Sequence, residues 1–388
     1  MKKYFISICF VLIIMSVFIW YPIKQGLISL KIITLNKNDS WRKLETSKNL
    51  YYNTVTYLKK SIENKTNNYF PFYKSINNLY YSLIKIIDKK YLKDIYLKTY
   101  DNNERLFYNV ENDFYYIVNT YDETSLNEML NKEVAFYNQL SEKYPDLKIG
   151  IYLPLRFELN SIQNINNMHF FPQKFINKLD KNINIKILNF NDTKEYLKHF
   201  YKTDHHFNSY GAEKAYKEIL NMFGITSNII LTHKNLYEKY YGSIARSILT
   251  TKPYDSFNVI NYKNSLEVNI EDKNFKPQTF IKNTNNFFDY YTSYFNGQYD
   301  EVIYKSKKKT KNNLLIIGDS ISWQIDYLLA ANFNTTYVVN INYGKWNDTN
   351  INLSDYIKKN QITHVLFIEE AQSIMFDMYN NNLKKKVI

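Results

Sequence analysis

The C-terminal part of the sequence repeats a strand-like run followed by a helix-like segment. Apolar runs lie at 314–317, 336–341 and 363–368, and segments with apolar residues at helical spacing lie between them at 321–331 and 353–359. Short apolar runs bounded by polar residues are typical of buried strands, and their alternation with helices is typical of a parallel sheet. The pattern predicts an α/β domain with a doubly wound, mostly parallel sheet.

The same alternation extends upstream. Residues 105–118 contain two alternating aromatic runs around a polar turn, which predicts a β-hairpin. Residues 124–143 have helical spacing, and residues 147–155 and 183–190 are typical of buried strands. Strands and helices therefore alternate over most of the chain, as expected for a layered α/β domain.

The chain begins with an apolar segment that predicts a membrane anchor. Lys2 and Lys3 precede an uncharged apolar run at 4–23, and about 20 such residues are enough to cross a bilayer as a helix. Trp20 and Tyr21 lie at its far end, where interfacial aromatic residues are common. The length of the run and the lack of an Ala-x-Ala site predict a signal anchor with its N-terminus in the cytoplasm. The bulk of the chain would then be extracytoplasmic, although several lysines follow the run and do not favour this orientation.

Three parts are expected in the chain. Residues 1–23 are the predicted transmembrane signal anchor, and residues 24–100, polar with aromatic stripes, predict a helical stalk or an N-terminal helical layer. Residues 101–388 are the predicted α/β domain, with a partly β insertion at about 221–305. A chain of 388 residues is long enough to bury a sizeable core.

Composition excludes several kinds of site. The only cysteine, Cys9, lies in the apolar N-terminal run, so neither a disulfide within the chain nor a cysteine-based metal site can form. The net charge of +13 is explained either by lysines on a solvated surface or by attraction to an anionic surface such as lipid headgroups or envelope polymer. No nucleic-acid-binding motif accompanies this charge, and nucleic acid is not an expected partner.

A Gly-Asp-Ser sequence follows the predicted strand at 314–317. A strand that turns sharply into a helix exposes the turn residue at the edge of the sheet, so Ser320 could be a nucleophile. The alternative is that Ser320 only caps the following helix. This motif by itself leaves both interpretations open.

Asp204, His205 and His206 lie just before a helix that is predicted to begin near Ser209. They could be structural residues of a polar loop, or ligands of a metal ion. They could also be an acid–base pair in which Asp204 orients a histidine that activates a hydroxyl. A metal site is the least favoured, because adjacent side chains rarely converge on one ion and no further His or Cys cluster lies nearby.

Three polar groups follow predicted strands and should meet at one edge of the sheet. They are Gly318 to Ser320, Asn342 to Gly344, and Glu369 with Glu370. In open parallel sheets, binding and catalytic sites form at the carboxyl ends of the strands.

Four short motifs occur here in a particular order. They are DHHF at 204–207, YGA at 210–212, YGS at 241–243 and GDS at 318–320. Over roughly residues 100–388, the chain resembles the DHHW family, which is related to the alginate O-acetyltransferase branch of the SGNH hydrolases. Ordinary SGNH hydrolases place Gly-Asp-Ser early and the Asp/His pair late, whereas this branch has the reverse order, as here. The resemblance implies an SGNH-hydrolase-like fold.

The resemblance also implies roles for individual residues. Ser320 would be the nucleophile, and His206 the general base, because this branch spaces its pair as Asp-x-His. Asp204 would orient the imidazole and stabilise its protonated form. Asp319 would support the turn, and the backbone N–H of Ser320 would supply one oxyanion donor.

The sequence departs from the family pattern in two respects. The signature tryptophan is Phe207 here, which keeps an aromatic wall but removes an indole N–H donor. The Asn and Gly that complete the oxyanion hole in ordinary SGNH enzymes are not identified, and Asn342 and Gly344 are candidates by position only. His205 is an alternative candidate for the base.

Together these features predict a membrane-anchored, extracytoplasmic serine acyltransferase or esterase with a Ser-His-Asp triad. Its expected substrate is an acyl group, O-acetyl in the family it resembles, on a cell-envelope polysaccharide. No metal or organic cofactor is expected, and a membrane-bound partner that supplies acyl groups is implied by the resemblance. The rival hypothesis is a catalytically inactive envelope scaffold or glycan-binding protein with the same fold.

Overall fold

The computed structural model describes nine segments of the chain, at residues 94–101, 104–119, 122–160, 167–263, 268–270, 281–295, 301–306, 310–340 and 352–376. The predicted anchor at 1–23, Asn342 and Gly344 lie outside them. Among the residues that the structure describes, none of the helices combines the length and apolar character needed to cross a bilayer.

Strands and helices alternate along most of the described chain. The strands are β1 (Asp94–Asp101), β2 (Glu104–Asn109), β3 (Phe114–Asn119), β4 (Lys148–Pro154), β5 (Asn184–Leu188), β6 (Ile230–Tyr240), β7 (Asp255–Lys263), β8 (Val268–Ile270), β9 (Glu301–Ser306), β10 (Asn313–Gly318), β11 (Thr335–Asn340) and β12 (His364–Ile368). The α-helices are α1 (Glu123–Lys143), α2 (Phe171–Ile176), α3 (Thr193–His199), α4 (Ser209–Met222), α5 (Ser243–Ile248), α6 (Tyr290–Phe295), α7 (Asp326–Ala330), α8 (Leu353–Lys359) and α9 (Ala371–Phe376). Short 3₁₀ helices lie at Phe157–Leu159, Asn167–Phe170 and Ser322–Gln324.

A seven-stranded sheet forms the centre of the fold, with strand order β5-β4-β12-β10-β11-β9-β8. The five strands β5, β4, β12, β10 and β11 run parallel to one another. At one edge, β9 pairs antiparallel with β11, and β8 pairs antiparallel with β9. The prediction of a mixed α/β fold with a mostly parallel sheet is therefore confirmed.

The apolar run at 314–317 explains why β10 lies near the middle of this sheet. Leu314 and Ile316 pack in one core cluster with residues of α4, whereas Leu315 and Ile317 pack in the other with residues of α1. Successive side chains of a strand point to opposite faces, so a strand that is apolar at every position must be covered on both faces. Helices lie on both sides, as a doubly wound arrangement requires.

The predicted hairpin at 105–118 is confirmed. Strands β2 and β3 pair antiparallel from Glu104 opposite Asn119 to Asn109 opposite Phe114. Strand β1 pairs antiparallel with β2 and completes a separate three-stranded sheet. Residues 94–100, the end of the stretch expected to be helical, are therefore part of a strand instead. Pairing with β2 fixes their extended conformation. The spacing of apolar residues along the sequence does not record such a contact between strands.

The segment predicted as a partly β insertion has two structural roles. Strands β6 and β7 form a two-stranded antiparallel ribbon of their own, while β8 and β9 join the edge of the central sheet. Helices α5 and α6 also come from this segment, and both reach the candidate site described below.

Candidate active site

The Gly-Asp-Ser turn lies at the carboxyl end of β10, next to β12. Asp319 accepts hydrogen bonds through Oδ1 from the Ile321 N–H, at 2.8 Å, and through Oδ2 from the Glu370 N–H, at 2.9 Å. A Cβ at Gly318 would lie 2.8 Å from the carbonyl oxygen of Ile368, so the close approach of the two strands requires glycine there. Asp319 therefore links the turn to the chain that leaves β12.

The helix after Ser320 differs from the continuous one predicted at 321–331. Residues Ser322–Gln324 form a 3₁₀ turn and α7 begins only at Asp326. The Ser322 side chain explains the break, because its Oγ bonds both the Asp319 carbonyl oxygen, at 3.0 Å, and the Asp326 carboxylate, at 3.1 Å. Such local side-chain bonds compete with a regular helix.

Ser320, His206 and Asp204 form one chain of hydrogen bonds. The Ser320 Oγ lies 2.8 Å from His206 Nε2, and His206 Nδ1 lies 2.9 Å from Asp204 Oδ1. Ser320 and His206 are 114 residues apart in the sequence. Ser320 is partly exposed, whereas His206 and Asp204 are buried. The residues that the two motifs suggested are thus brought together, with the partly exposed serine at one end of the hydrogen-bond chain and the buried carboxylate at the other.

Asp204 is held by further donors from Tyr240 and from Ser243, the last residue of the Tyr-Gly-Ser motif. Its Oδ2 accepts from the Tyr240 hydroxyl at 2.6 Å and from the Ser243 N–H at 2.9 Å, and its Oδ1 accepts from the Ser243 hydroxyl at 2.8 Å. Burial raises the pKa of Asp204, but the charge of His206 and its hydrogen bond outweigh burial and hold that pKa well below its usual value. Asp204 is therefore an ionised carboxylate in a buried position.

The glycine of the Tyr-Gly-Ser motif, Gly242, is required for steric reasons. A Cβ at Gly242 would lie 2.4 Å from the Cβ of Asp204 and 2.5 Å from the carbonyl oxygen of Thr203. The Gly242 N–H also donates to the Thr203 hydroxyl at 2.9 Å. Only glycine allows the start of α5 to come close enough for Ser243 to bond Asp204.

His205, the alternative candidate for the base, faces away from the serine. Its Nδ1 lies 3.0 Å from the Ser243 Oγ, and its Nε2 lies 3.2 Å from the Glu370 Oε1. Burial, together with the charge of His206, lowers the pKa of His205 to about 4. The geometry therefore favours His206 over His205 as the partner of Ser320.

A buried ion pair supports the far side of His205. Arg156 lies two residues after the end of β4. Its Nη2 contacts the Glu370 carboxylate, and its Nη1 lies 3.2 Å from the Glu104 Oε1. Burial raises the pKa of Glu370, but the charges of Arg156 and His205 outweigh it and lower the pKa overall. Arg156 was not identified from the sequence, although its position just after a buried strand could have indicated it.

Tyr291 is a second residue that the motifs did not identify. Its ring stacks on the imidazole of His206, with ring centroids 4.0 Å apart, and its hydroxyl donates to the carbonyl oxygen of Ser320 at 2.7 Å. Nothing in the tyrosine-rich sequence around α6 distinguishes this tyrosine from its neighbours.

The Ser320 N–H is the candidate oxyanion donor that the structure describes. The Ser320 N–H has no acceptor among the described residues. In the parallel ladder, Asn340 at the end of β11 pairs with Gly318 at the end of β10. Asn342 and Gly344 lie just beyond this point and outside the described residues, so their assignment stays a prediction.

Asp204, His205 and His206 each offer one atom that could hold a metal ion, and these atoms lie within 4.8 Å of one another. These atoms already make hydrogen bonds, since His206 Nδ1 bonds Asp204 and His206 Nε2 bonds Ser320. A metal would have to replace these hydrogen bonds. The arrangement therefore fits activation of a hydroxyl better than metal binding.

Similar proteins of known structure have this fold. No protein-family model and no curated protein sequence matches the chain. PatB1 of Bacillus cereus, solved with a sulfonyl adduct, is 18% identical, with a TM-score of 0.56 over 74% of this chain and 98% of that one. A DHHW family protein from Eubacterium siraeum is 17% identical, with a TM-score of 0.54 over 73% of this chain and 95% of that one. The O-acetyltransferase domain of Pseudomonas putida AlgJ is more distant, at 10% identity and a TM-score of 0.41 over 70% and 96%. The solved structures similar to this chain thus include a DHHW family protein, in agreement with the resemblance of its motifs.

Proposed function

We propose that this chain is an SGNH-type serine acyltransferase or esterase that acts on acyl groups, O-acetyl groups in particular, of a cell-envelope polysaccharide. The observation that carries the proposal is the hydrogen-bond chain from Asp204 through His206 to Ser320. A serine hydroxyl, an imidazole and a buried carboxylate in this order are the elements of nucleophilic acyl transfer.

In the first half-reaction, the Ser320 Oγ bonds to the acyl carbon of the donor while its proton moves to His206 Nε2. The protonated imidazole then gives this proton to the departing oxygen of the donor as its bond to the acyl carbon breaks. The products are an acyl-serine and a free alcohol.

In the second half-reaction, a sugar hydroxyl or water gives its proton to His206 Nε2 and attacks the acyl-serine. The bond between the acyl carbon and the Ser320 Oγ breaks, and the oxygen recovers the proton from the imidazole. A sugar hydroxyl makes the protein a transferase, and water makes it an esterase.

The carboxylate of Asp204 stabilises the imidazolium that forms in each half-reaction. Its lowered pKa keeps it ionised, so a positive charge on His206 is offset at 2.9 Å. The negative charge on the acyl oxygen would be bound by the Ser320 N–H, with the segment that contains Asn342 and Gly344 as the proposed source of a second donor.

The proposed location follows from the N-terminal sequence. The apolar run at 4–23 would anchor the chain in the cell membrane with the bulk of the protein outside. An acyltransferase in that position requires a donor from across the membrane, so a membrane-bound partner that passes acyl groups is part of the proposal. The net charge of +13 is compatible with an anionic envelope polymer.

An activated-serine probe tests the chemistry directly. A fluorophosphonate or sulfonyl fluoride should attach to Ser320, and Asp204→Ala or His206→Ala should suppress the reaction. Release of acetyl groups from a panel of envelope glycans, and transfer to them, identifies the substrate. A folded protein that takes up no label but still binds these glycans would support the rival hypothesis of a catalytically inactive glycan-binding protein.

A further inference from the structure

Helix α6 brings one side chain of the inserted segment against the candidate active site. Tyr291 is 2% exposed, and it lies 29 residues before Ser320 in the sequence. Neither the Gly-Asp-Ser motif nor the Asp-x-His motif includes it.

Tyr291 contacts both halves of the site at once. Its ring lies against the imidazole of His206, with centroids 4.0 Å apart and planes inclined by 19°. Its hydroxyl donates to the carbonyl oxygen of Ser320 at 2.7 Å. One side chain therefore touches the ring that would accept the proton and the backbone of the turn that would supply the nucleophile.

The ring of Tyr291 is itself held in place by other aromatic residues. It stacks against Trp323 with centroids 5.8 Å apart, and it contacts Phe295 at 5.0 Å. These residues belong to a buried cluster that also includes Tyr240, the donor to Asp204. A ring fixed by such packing is a rigid wall and not a mobile cover.

We propose that Tyr291 is a positioning residue of the acyl transfer, which fixes the imidazole plane of His206 and tethers the Ser320 turn. This inference rests on the proposed function.

The physical reason lies in the two hydrogen bonds of the imidazole. His206 can bond Asp204 and Ser320 together only when its ring plane contains both directions. A parallel ring at 4.0 Å blocks rotation of the imidazole out of that plane. The face of an aromatic ring is electron-rich, so it also favours the imidazolium that forms during each half-reaction. The hydroxyl adds a second restraint because it fixes the peptide that follows Ser320.

Two substitutions separate the ring from the hydroxyl. Tyr291→Phe keeps the stack and removes the tether, whereas Tyr291→Leu removes both. The readout is labelling by a sulfonyl fluoride, separated into the inactivation rate constant and the dissociation constant of the probe. Tyr291→Phe should lower the rate constant about fivefold, as the loss of one hydrogen bond implies. Tyr291→Leu should lower it about 100-fold, as expected for a misplaced catalytic group.

Tyr290→Phe is the matched control. Tyr290 lies in the same helix, is also 2% exposed, and its hydroxyl bonds the backbone of Asn283 at 3.0 Å. This variant also loses a buried hydroxyl, but its labelling should stay within about twofold of the parent, as for a change outside the site. The dissociation constant of the probe should be unchanged in all three variants, because a positioning role affects the reaction and not the binding.

A spectroscopic readout does not depend on activity. The proton shared by His206 Nδ1 and Asp204 should give a downfield proton NMR signal, assigned by its loss in His206→Asn. We expect this signal to persist in Tyr291→Phe and to broaden or vanish in Tyr291→Leu.

The inference is overturned if the parent protein is labelled at Ser320 and folded Tyr291→Phe reacts at the same rate. Should Tyr291→Leu fail to fold, the phenylalanine variant still tests the tether, and an unchanged rate there overturns the inference. If the parent itself takes up no label, the proposed function fails, and an unchanged downfield signal in Tyr291→Leu would then overturn the positioning role separately.

Discussion

A second Ser–His–carboxylate arrangement, here called the α4 arrangement, joins Ser209 and Glu213 of α4 to His233 of β6 and resembles the candidate site in its distances. His233 has its Nδ1 2.9 Å from the Ser209 Oγ and its Nε2 2.6 Å from the Glu213 Oε2. The corresponding distances around His206 are 2.8 Å to the serine and 2.9 Å to the carboxylate. Distances between the three groups therefore do not distinguish the two sites.

Burial distinguishes them clearly. Ser209, the first residue of α4, is fully buried, whereas Ser320 is partly exposed. The carboxylates show the opposite order, since the side chain of Glu213 is 24% exposed and that of Asp204 only 1%. The α4 arrangement thus combines an inaccessible hydroxyl with a solvated carboxylate.

This difference shows what a reactive serine requires beyond proximity to histidine. An attacking hydroxyl must be reachable by the acyl group, and a carboxylate stabilises an imidazolium best where water does not screen it. Glu213 is also paired with Lys217 at 2.5 Å, which weakens its effect on His233. We interpret the α4 arrangement as structural, and the following predictions compare the two sites.

The largest difference in the rate of covalent labelling is expected between variants of the two serines. Ser320→Ala should reduce covalent labelling by a sulfonyl fluoride about 10³-fold or more, because it removes the attacking oxygen. Ser209→Ala should leave the labelling rate nearly unchanged. The measurement is intact-protein mass spectrometry over time. A label that persists in Ser320→Ala and disappears in Ser209→Ala would reverse the assignment.

Variants of the two histidines should differ almost as strongly in their labelling rates. His206→Asn should slow labelling about 10³-fold, since the serine loses the group that accepts its proton. His233→Asn should change the rate less than about twofold, because a substitution at a partly exposed site away from the reaction has small effects. Equal losses in both variants, with circular dichroism spectra like that of the parent, would contradict the comparison.

The carboxylates should differ in their contribution to stability. Asp204→Asn should lower the free energy of unfolding at neutral pH by about 3 kcal/mol, because it breaks a buried ionic network. Glu213→Gln should lower it by less than about 1 kcal/mol, since solvent screens a partly exposed pair. Denaturant unfolding at neutral pH measures both values.

The pH dependence provides the control for this prediction. The pKa of Asp204 is lower in the folded protein than in the unfolded chain, so its ionisation stabilises the fold above about pH 4. This stabilisation is lost as the pH falls through the lowered pKa. The stabilities of the parent and Asp204→Asn should therefore converge on acidification, and a constant difference between them would contradict the assignment.

The smallest difference in stability is expected between two glycine variants. Gly242→Ala and Gly211→Ala should each cost about 1–3 kcal/mol by overpacking, since the new Cβ would lie 2.4 Å from Asp204 in the first and 2.3 Å from the carbonyl oxygen of His199 in the second. Only Gly242→Ala displaces Asp204, so only this variant should lose labelling while it is folded. Labelling rates measured well below the melting temperature of each variant separate the two effects.

Local sequence patterns predicted most of the central sheet. The runs that became β10 and β12 and the helix at 353–359 lie where their periodicity placed them. The same patterns failed at 94–100, which form most of β1, and at 321–331, where a 3₁₀ turn interrupts the helix. A strand conformation fixed by pairing and a helix interrupted by the Ser322 side chain both depend on contacts that an apolar period does not record.

The candidate site was predictable only in part, for the same reason. Ser320, His206 and Asp204 could be named because short motifs mark them, and Glu370 because it follows a strand at the same edge of the sheet. Tyr291 could not be named, because neither a motif nor its place after a strand marks it. Arg156 was missed although it follows β4 as Glu370 follows β12.

The amino-acid sequence by itself thus determined the kinds of elements, their order and the edge of the sheet at which polar residues would meet, because these follow from local periodicity and from chain direction. The tertiary structure alone decided which of two similar Ser–His–carboxylate arrangements has a partly exposed serine and a buried carboxylate. Burial results from packing between segments that are distant in the sequence, such as those that hold His206 and Ser320, 114 residues apart. It sets both access to Ser320 and the strength of the charge on Asp204.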